Sequence, residues 1–267
     1  MKIQAIFILA LFAGASVVFD AEAVPSYMWY ATYSINYYYG NGCSYYLNLG
    51  GSHAEADGFH NAVTAKGLAN SWYRYNRRDD ACTAARWTGA SAEINGVDFL
   101  FYSGHGCGTG PYLGCTPVYT VTNWSDIRFG GNGFLRWVQG AACEWFVAGD
   151  ADPCGSGLTE YERWNASFAG VHTVQGHRAV TYDYTDGDEM SGEFWNRWVS
   201  WNNTIYAAWR EAQIHWVYEE GGHPGLQPAT AAHDSNYANE LWTNATNNPA
   251  PSGYGWLGWT TVGTPEY

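Results

Sequence analysis

Hydrophobic positions change their period several times along the chain, and each change predicts an element. From Tyr27 to Tyr37, Trp29, Ala31, Tyr33 and Ile35 alternate with Thr32, Ser34 and Asn36, the two-residue period of a half-buried strand. Gly40-Asn41-Gly42 then turns the chain. Ser52-His53-Ala54-Glu55 has capping-box spacing, and Phe59, Ala62, Val63, Ala69 and Tyr73 come after it at helical intervals, which predicts a helix from about His53 to Tyr75. Asp98 to Ser103 is an apolar run that stops on Ser103-Gly104-His105-Gly106; Arg136 to Cys143 is a second, and Phe168 to Val174 a third that ends at Gly176. Apolar runs bounded by glycine suit strands buried on both faces, as in a parallel sheet. Asp186 and Glu189 repeat the capping spacing before Met190, Phe194, Trp198 and Val199, and Ile205, Ala208, Trp209, Ala212 and Trp216 form another apolar face, so two helices are expected there. Beyond Gly221, Gly, Pro, Asn and Ala succeed one another without period; residues 221–267 are expected as an extended segment packed on the same domain. Strands alternating with helices predict an α/β sandwich.

Composition narrows the setting. Lys2, the apolar stretch Ile6 to Val18 and Ala21-Glu22-Ala23 have the order of a secretory signal peptide, residues 1–23, cleaved after Ala23. A secreted protein, extracellular or periplasmic and without a membrane span, is the expectation. The chain after Ala23 has the length of one large domain. The net charge is −13 and the only lysine after the signal is Lys66, which argues against a nucleic-acid partner. Fifteen tryptophans and 21 tyrosines are expected mostly to fill the core, with Tyr37-Tyr38-Tyr39 and Trp256 to Trp259 as rings that could meet a glycan or peptide.

The chemistry concentrates where two apolar runs end. Parallel sheets place their ligands beyond the carboxyl ends of the strands, so His105 and Cys143 are expected at one edge. A thiol beside an imidazole is a minimal acyl-transfer pair; the alternative is a hydrogen-bonded turn histidine and a small buried hydrophobe. Six cysteines in a secreted chain invite disulfides. Cys107–Cys115 flank a short loop and Cys43–Cys82 is a second candidate pair, which leaves Cys143 and Cys154 both free or bonded to each other. His172 ends the third run and is a further cleft candidate. His53, Glu55, Asp57 and His60 share a helix, but the two histidines lie two turns apart, unlike helical zinc motifs. Asp183, Asp186, Asp188 and Glu189 lack the full spacing of a calcium loop. No metal and no cofactor is expected.

Phe99 to Gly106 resembles the His-Gly motif of the caspase-like cysteine peptidases (caspases, metacaspases, legumain, gingipains), and Val138 to Glu144 resembles their Ala-Cys motif, with the histidine first. Together with Leu135-Arg136-Trp137, Phe168 to His172 and Ala207-Ala208-Trp209, the chain from Tyr27 to Tyr218 is similar to a mostly secreted prokaryotic family with a caspase-like core and no established activity. The resemblance implies a caspase-like three-layer sandwich with a mostly parallel central sheet over residues 24–220. It makes Cys143 the nucleophile, His105 the general acid/base, and the backbone N–H groups of Gly106 and Cys143 the oxyanion donors. Ser103 and Glu144 beside them are, with His172, cleft candidates, and Asp98, Ser103 and Glu144 are candidate supporting groups. It thereby implies a cysteine endopeptidase acting on a protein or peptide substrate. Caspase-like enzymes commonly carry Asp before the cysteine, where this chain has Gln139-Gly140-Ala141-Ala142, and Glu144 beside a thiolate would raise the thiol pKa unless it faces away. A non-catalytic scaffold with an aromatic surface for a glycan, a peptide or identical subunits is the alternative.

Overall fold

A computed structural model describes residues 28–38, 48–66, 71–108, 110–113, 124–147, 158–181, 188–219, 225–245 and 248–262. The expected signal peptide, the Gly40-Asn41-Gly42 turn, Asp183, Asp186 and Cys43, Cys115 and Cys154 lie outside the described residues. The first strand, β1, is Met28–Ser34, and helix α1, Ser52–Ala65, comes second. Next comes β2, Ser71–Arg78, and then the central strand β3, Phe99–Ser103. A small hairpin of β4, Gly106–Cys107, and β5, Gly110–Pro111, precedes β6, Trp137–Ala141. Then come α2 (Glu160–Asn165), β7 (Thr173–His177), α3 (Asp188–Trp195), α4 (Ile205–Glu219), β8 (Pro228–Ala232), the short helix α5 (Ser235–Ala238) and β9 (Trp256–Trp259).

Seven strands form one sheet in the order β2-β1-β3-β6-β7-β8-β9. The pairs from β2 through β7 are parallel, and β8 and β9 are antiparallel additions. The expected α/β architecture with a mostly parallel central sheet is therefore observed. Alternate residues of β3 serve two cores. Phe99 and Phe101 pack with Phe59 of α1, Trp195 of α3 and Trp209 of α4, while Leu100 and Tyr102 pack with Trp87, Trp124, Trp145 and Trp164 on the other face. Layers on both faces explain why β3, β6 and β7 are unbroken buried runs.

Three expectations change. Strand β1 is buried almost throughout: its polar Thr32 and Ser34 are covered by bonds to the Tyr73 hydroxyl and to His53, so its alternation does not mark a solvent face. The expected helix ends at Ala65, and Ser71–Arg78 is the edge strand β2, whose alternating exposure is the period of a half-covered strand. Tyr73 fits both periods, which is why the helical spacing overran. The segment after Gly221 adds no layer but extends the sheet with β8 and β9.

Most aromatic rings among the described residues are internal, as expected. Trp87, Trp124, Trp137, Trp145, Trp164, Trp195, Trp198 and Trp209 are all fully buried, and large aromatic side chains of this kind dominate the apolar surface a core removes from water. Tyr38 is buried, whereas Trp72 and Trp201 are 65% and 58% exposed. Among the described residues no helix is long and apolar enough to cross a membrane.

Candidate functional site

The register of the sheet sets the site. Ser34 of β1 pairs with Ser103 of β3, and Ser103 pairs with Ala141 of β6, so the parallel strands end level with one another. His105 and Cys143 each lie two residues beyond their paired strand ends. Both line one cavity of about 480 Å³, together with Glu55, Ser103 and His177.

His105 is held by its backbone. Its N–H donates to the Tyr38 hydroxyl at 2.9 Å, and its carbonyl accepts from the Tyr102 hydroxyl at 2.9 Å and the Tyr112 N–H at 3.0 Å. The imidazole packs on Tyr38 with ring centroids 4.7 Å apart. The flanking glycines have a steric cause. A methyl group on Gly104 would fall 2.6 Å from the Tyr38 and Tyr102 hydroxyls, and one on Gly106 would fall 2.6 Å from Trp145 Nε1 and 3.0 Å from the Cys143 carbonyl oxygen. The His-Gly turn and the Cys143 turn therefore touch through Gly106.

Cys143 carries a free thiol, so the bond to Cys154 is not made. Its Sγ donates to the Thr181 carbonyl at 3.1 Å. Burial pushes the thiol pKa up, and the charges of Glu144 and Glu55 push it in the same direction. The next residue, Glu144, has φ +53°, a left-handed conformation costly for a side chain with Cβ, and its N–H donates to Ala179 at 3.1 Å. The turn is then locked by Trp145, which stacks on Tyr102 at 5.7 Å and meets Trp124 edge-on at 5.1 Å.

The first turn of α1 supplies the polar side of the cavity. Ser103 Oγ donates to Glu55 Oε2. One residue pair away, Ser34 Oγ lies 2.8 Å from His53 Nδ1, and His53 Nε2 lies 3.0 Å from Asp79 Oδ2. Asp79 also accepts from the Asn36 and Tyr37 N–H groups at 2.9 and 3.0 Å, which binds the helix start to the end of β1. Asp57 pairs instead with Arg78, and His60 Nδ1 lies 2.7 Å from the Tyr30 hydroxyl. The four acidic and histidine side chains of α1 thus turn to different partners, and among the described residues no three His, Cys, Asp or Glu groups converge on a metal position.

Other site expectations are redistributed. His172 precedes β7 at the opposite end of the sheet, fully buried, with Nδ1 3.2 Å from both Glu240 oxygens and Nε2 2.6 Å from the Asn248 carbonyl. It does not line the described cavity; nor does Glu144, whose charge raises the pKa of the Cys143 thiol. Cys82 is a buried free thiol whose Sγ faces the carbonyls of Ser34 and Arg77 at 3.6 and 3.3 Å, so the Cys43–Cys82 bond is not formed. Cys107 is disulfide-bonded. Asp98 lies at the start of β3, paired with Arg136 at 2.8 Å and accepting from the Trp29 N–H at 2.8 Å, away from the cavity.

The residue missed in the sequence is His177. It closes β7, is 1% exposed, and sets Nδ1 3.2 Å from the Ala142 carbonyl and Nε2 3.2 Å from Gln213 Oε1. Burial lowers its pKa to about 4, so the ring is neutral at neutral pH. Its only sequence signal was its place directly after Gly176, at the end of the third apolar run.

Residues 32–261 match a family described as a domain of unknown function, DUF6345. No curated protein matches the chain. The match spans most of the sequence, and the chain belongs to the DUF6345 family.

Proposed function

We propose that this member of the DUF6345 family is a secreted, caspase-like cysteine peptidase that hydrolyses peptide bonds with Cys143 and His105. The observation that carries the proposal is the equal offset of the two side chains beyond paired strand ends, which puts a free thiol and an imidazole on one cavity. In the first step His105 takes the thiol proton and Cys143 Sγ attacks the peptide carbonyl carbon. The carbonyl oxygen becomes an oxyanion for which the N–H groups of Gly106 and Cys143 are the candidate donors. Collapse breaks the C–N bond as His105 protonates the leaving amine, leaving a thioester. Water, deprotonated by His105, then attacks the thioester carbon and releases the carboxylic acid and the thiol.

One observation favours the non-catalytic alternative. The Cys143 thiol donates to Thr181 and is held above its ordinary pKa by burial and two carboxylates, whereas thiol nucleophiles are usually activated by positive neighbours. A mixture of fluorogenic peptides with varied residues before the cut, assayed with wild-type protein, Cys143→Ala and His105→Ala, separates the two. Hydrolysis lost in both variants supports the peptidase. Hydrolysis unchanged in Cys143→Ala, or none by wild type while the thiol is alkylated stoichiometrically, leaves the scaffold.

A further inference from the structure

Among the described residues lining the cavity there is one carboxyl group and no lysine or arginine. The carboxyl belongs to Glu55, 6% exposed, and the hydrogen bond from Ser103 fixes it toward the strand ends. Its helix turn is anchored separately through His53 to Ser34 and Asp79, so the group is held before any ligand arrives. Much of the remaining wall is apolar: Leu49, Val180, Met190 and Trp216. An acidic group in such surroundings is poorly screened and discriminates by the sign of a ligand's charge. An alkyl stem ending in a cation answers both features, the stem against the apolar wall and the head on the carboxylate. The cavity of about 480 Å³ has the size of small-ligand sites, and the net charge of −13 draws cations toward it.

We propose that the cavity selects ligands bearing an alkylammonium or guanidinium group, the chemistry of lysine and arginine side chains, and that Glu55 determines this selectivity. The inference rests on the cavity being the substrate site but not on peptide hydrolysis. The influence of the Glu55 charge on the Cys143 thiol indicates that a group bound at the sulfur lies within its field.

Three methanethiosulfonate reagents test it on the full chain: one with a trimethylammonium-ethyl group, one with a neutral ethyl group and one with a sulfonatoethyl group. Each transfers its alkylthio group to the Cys143 thiolate and releases methanesulfinate. Modification of Cys143 is monitored by peptide mass spectrometry, and every rate is divided by that reagent's rate with N-acetylcysteine. The expected cation-to-anion ratio is about 10-fold or more and persists in about 0.5 M NaCl, where attraction by surface charge is screened. Glu55→Gln should bring the high-salt ratio close to one. A wild-type ratio near one at high salt, or a ratio unchanged by Glu55→Gln, overturns the proposal. If Glu55→Gln fails to fold by circular dichroism, the wild-type ratio decides together with agmatine, which must slow labelling by the neutral reagent; absence of protection overturns it. Failure of all three reagents to reach Cys143 removes both the selectivity and the enzyme. Cation preference without hydrolysis of any lysyl or arginyl peptide removes the peptidase and keeps the selectivity.

Discussion

His177 makes stability depend on pH through one identifiable group. Burial is the leading cause of its depressed pKa, about 4 against 6.5 for the unperturbed side chain, and the contacts to Gln213 and Ala142 offset only part of the effect. Below pH 6.5 the unfolded chain takes up a proton on this histidine that the folded chain refuses. The unfolded state then binds more protons, so stability falls as pH falls from 6.5 and the loss levels off below about 4. At about 1.4 kcal/mol per pH unit, the full loss is roughly 3 kcal/mol, a large fraction of the 5–15 kcal/mol or so that typically holds a domain folded. The measurement is urea unfolding of wild type and His177→Gln at a series of pH values between 7.5 and about 4. Titration of carboxylates and of the other histidines cancels in the difference between the two proteins. That difference should be constant above pH 7 and move against the wild type by roughly 3 kcal/mol on acidification. A difference that stays flat across the whole range would refute the neutral, buried state of His177.

Other perturbations test the remaining parts of the site. Glu144→Gln removes a charge that raises the Cys143 pKa, so the pH profile of iodoacetamide alkylation should move to lower pH, with roughly three-fold faster reaction at pH 7.5; an unmoved profile would show that Glu144 does not reach the sulfur. Gly106→Ala forces a methyl group against Trp145 and the Cys143 carbonyl and should cost about 1–3 kcal/mol in thermal or denaturant unfolding. Trp137→Phe removes the 2.8 Å Nε1 bond to the buried Glu240, with an expected loss of about 1–3 kcal/mol, measurable in the same unfolding experiment.

The fold was legible wherever burial alone decides the residue type. Strands β3 and β6 are apolar because both faces are covered, and α3 and α4 show their apolar faces because helices pack on one side of the sheet. Two strands escaped for opposite reasons. Strand β2 has enough exposed residues to alternate, but Tyr73 also continued the helical spacing of α1. Strand β8 is Pro-Ala-Thr-Ala-Ala, a composition with weak strand preference; it becomes a strand because β7 and β9 offer antiparallel partners on both sides.

At the site, a sheet converts position along the chain into position in space only for residues on its own strands. The pairing of Ser103 with Ala141 turns two short sequence offsets into neighbouring turns, which is why His105 and Cys143 could be singled out from strand endings. The same logic, carried one strand further, selects between the histidines of the third run. Five residues of extended chain separate His172 from His177 by roughly 16 Å, so only one can reach the carboxyl edge, and it is the later one. Glu55 obeys no such rule. Its bond to Ser103 joins residues 48 positions apart through the docking of α1 on β3, and helical periodicity grouped it with His53, Asp57 and His60 instead. Strand-borne groups of the cavity are fixed by register, while the helix-borne acid depends on how a whole layer packs; that Glu55 lines the cavity therefore follows only from the docking of α1 against the strand ends.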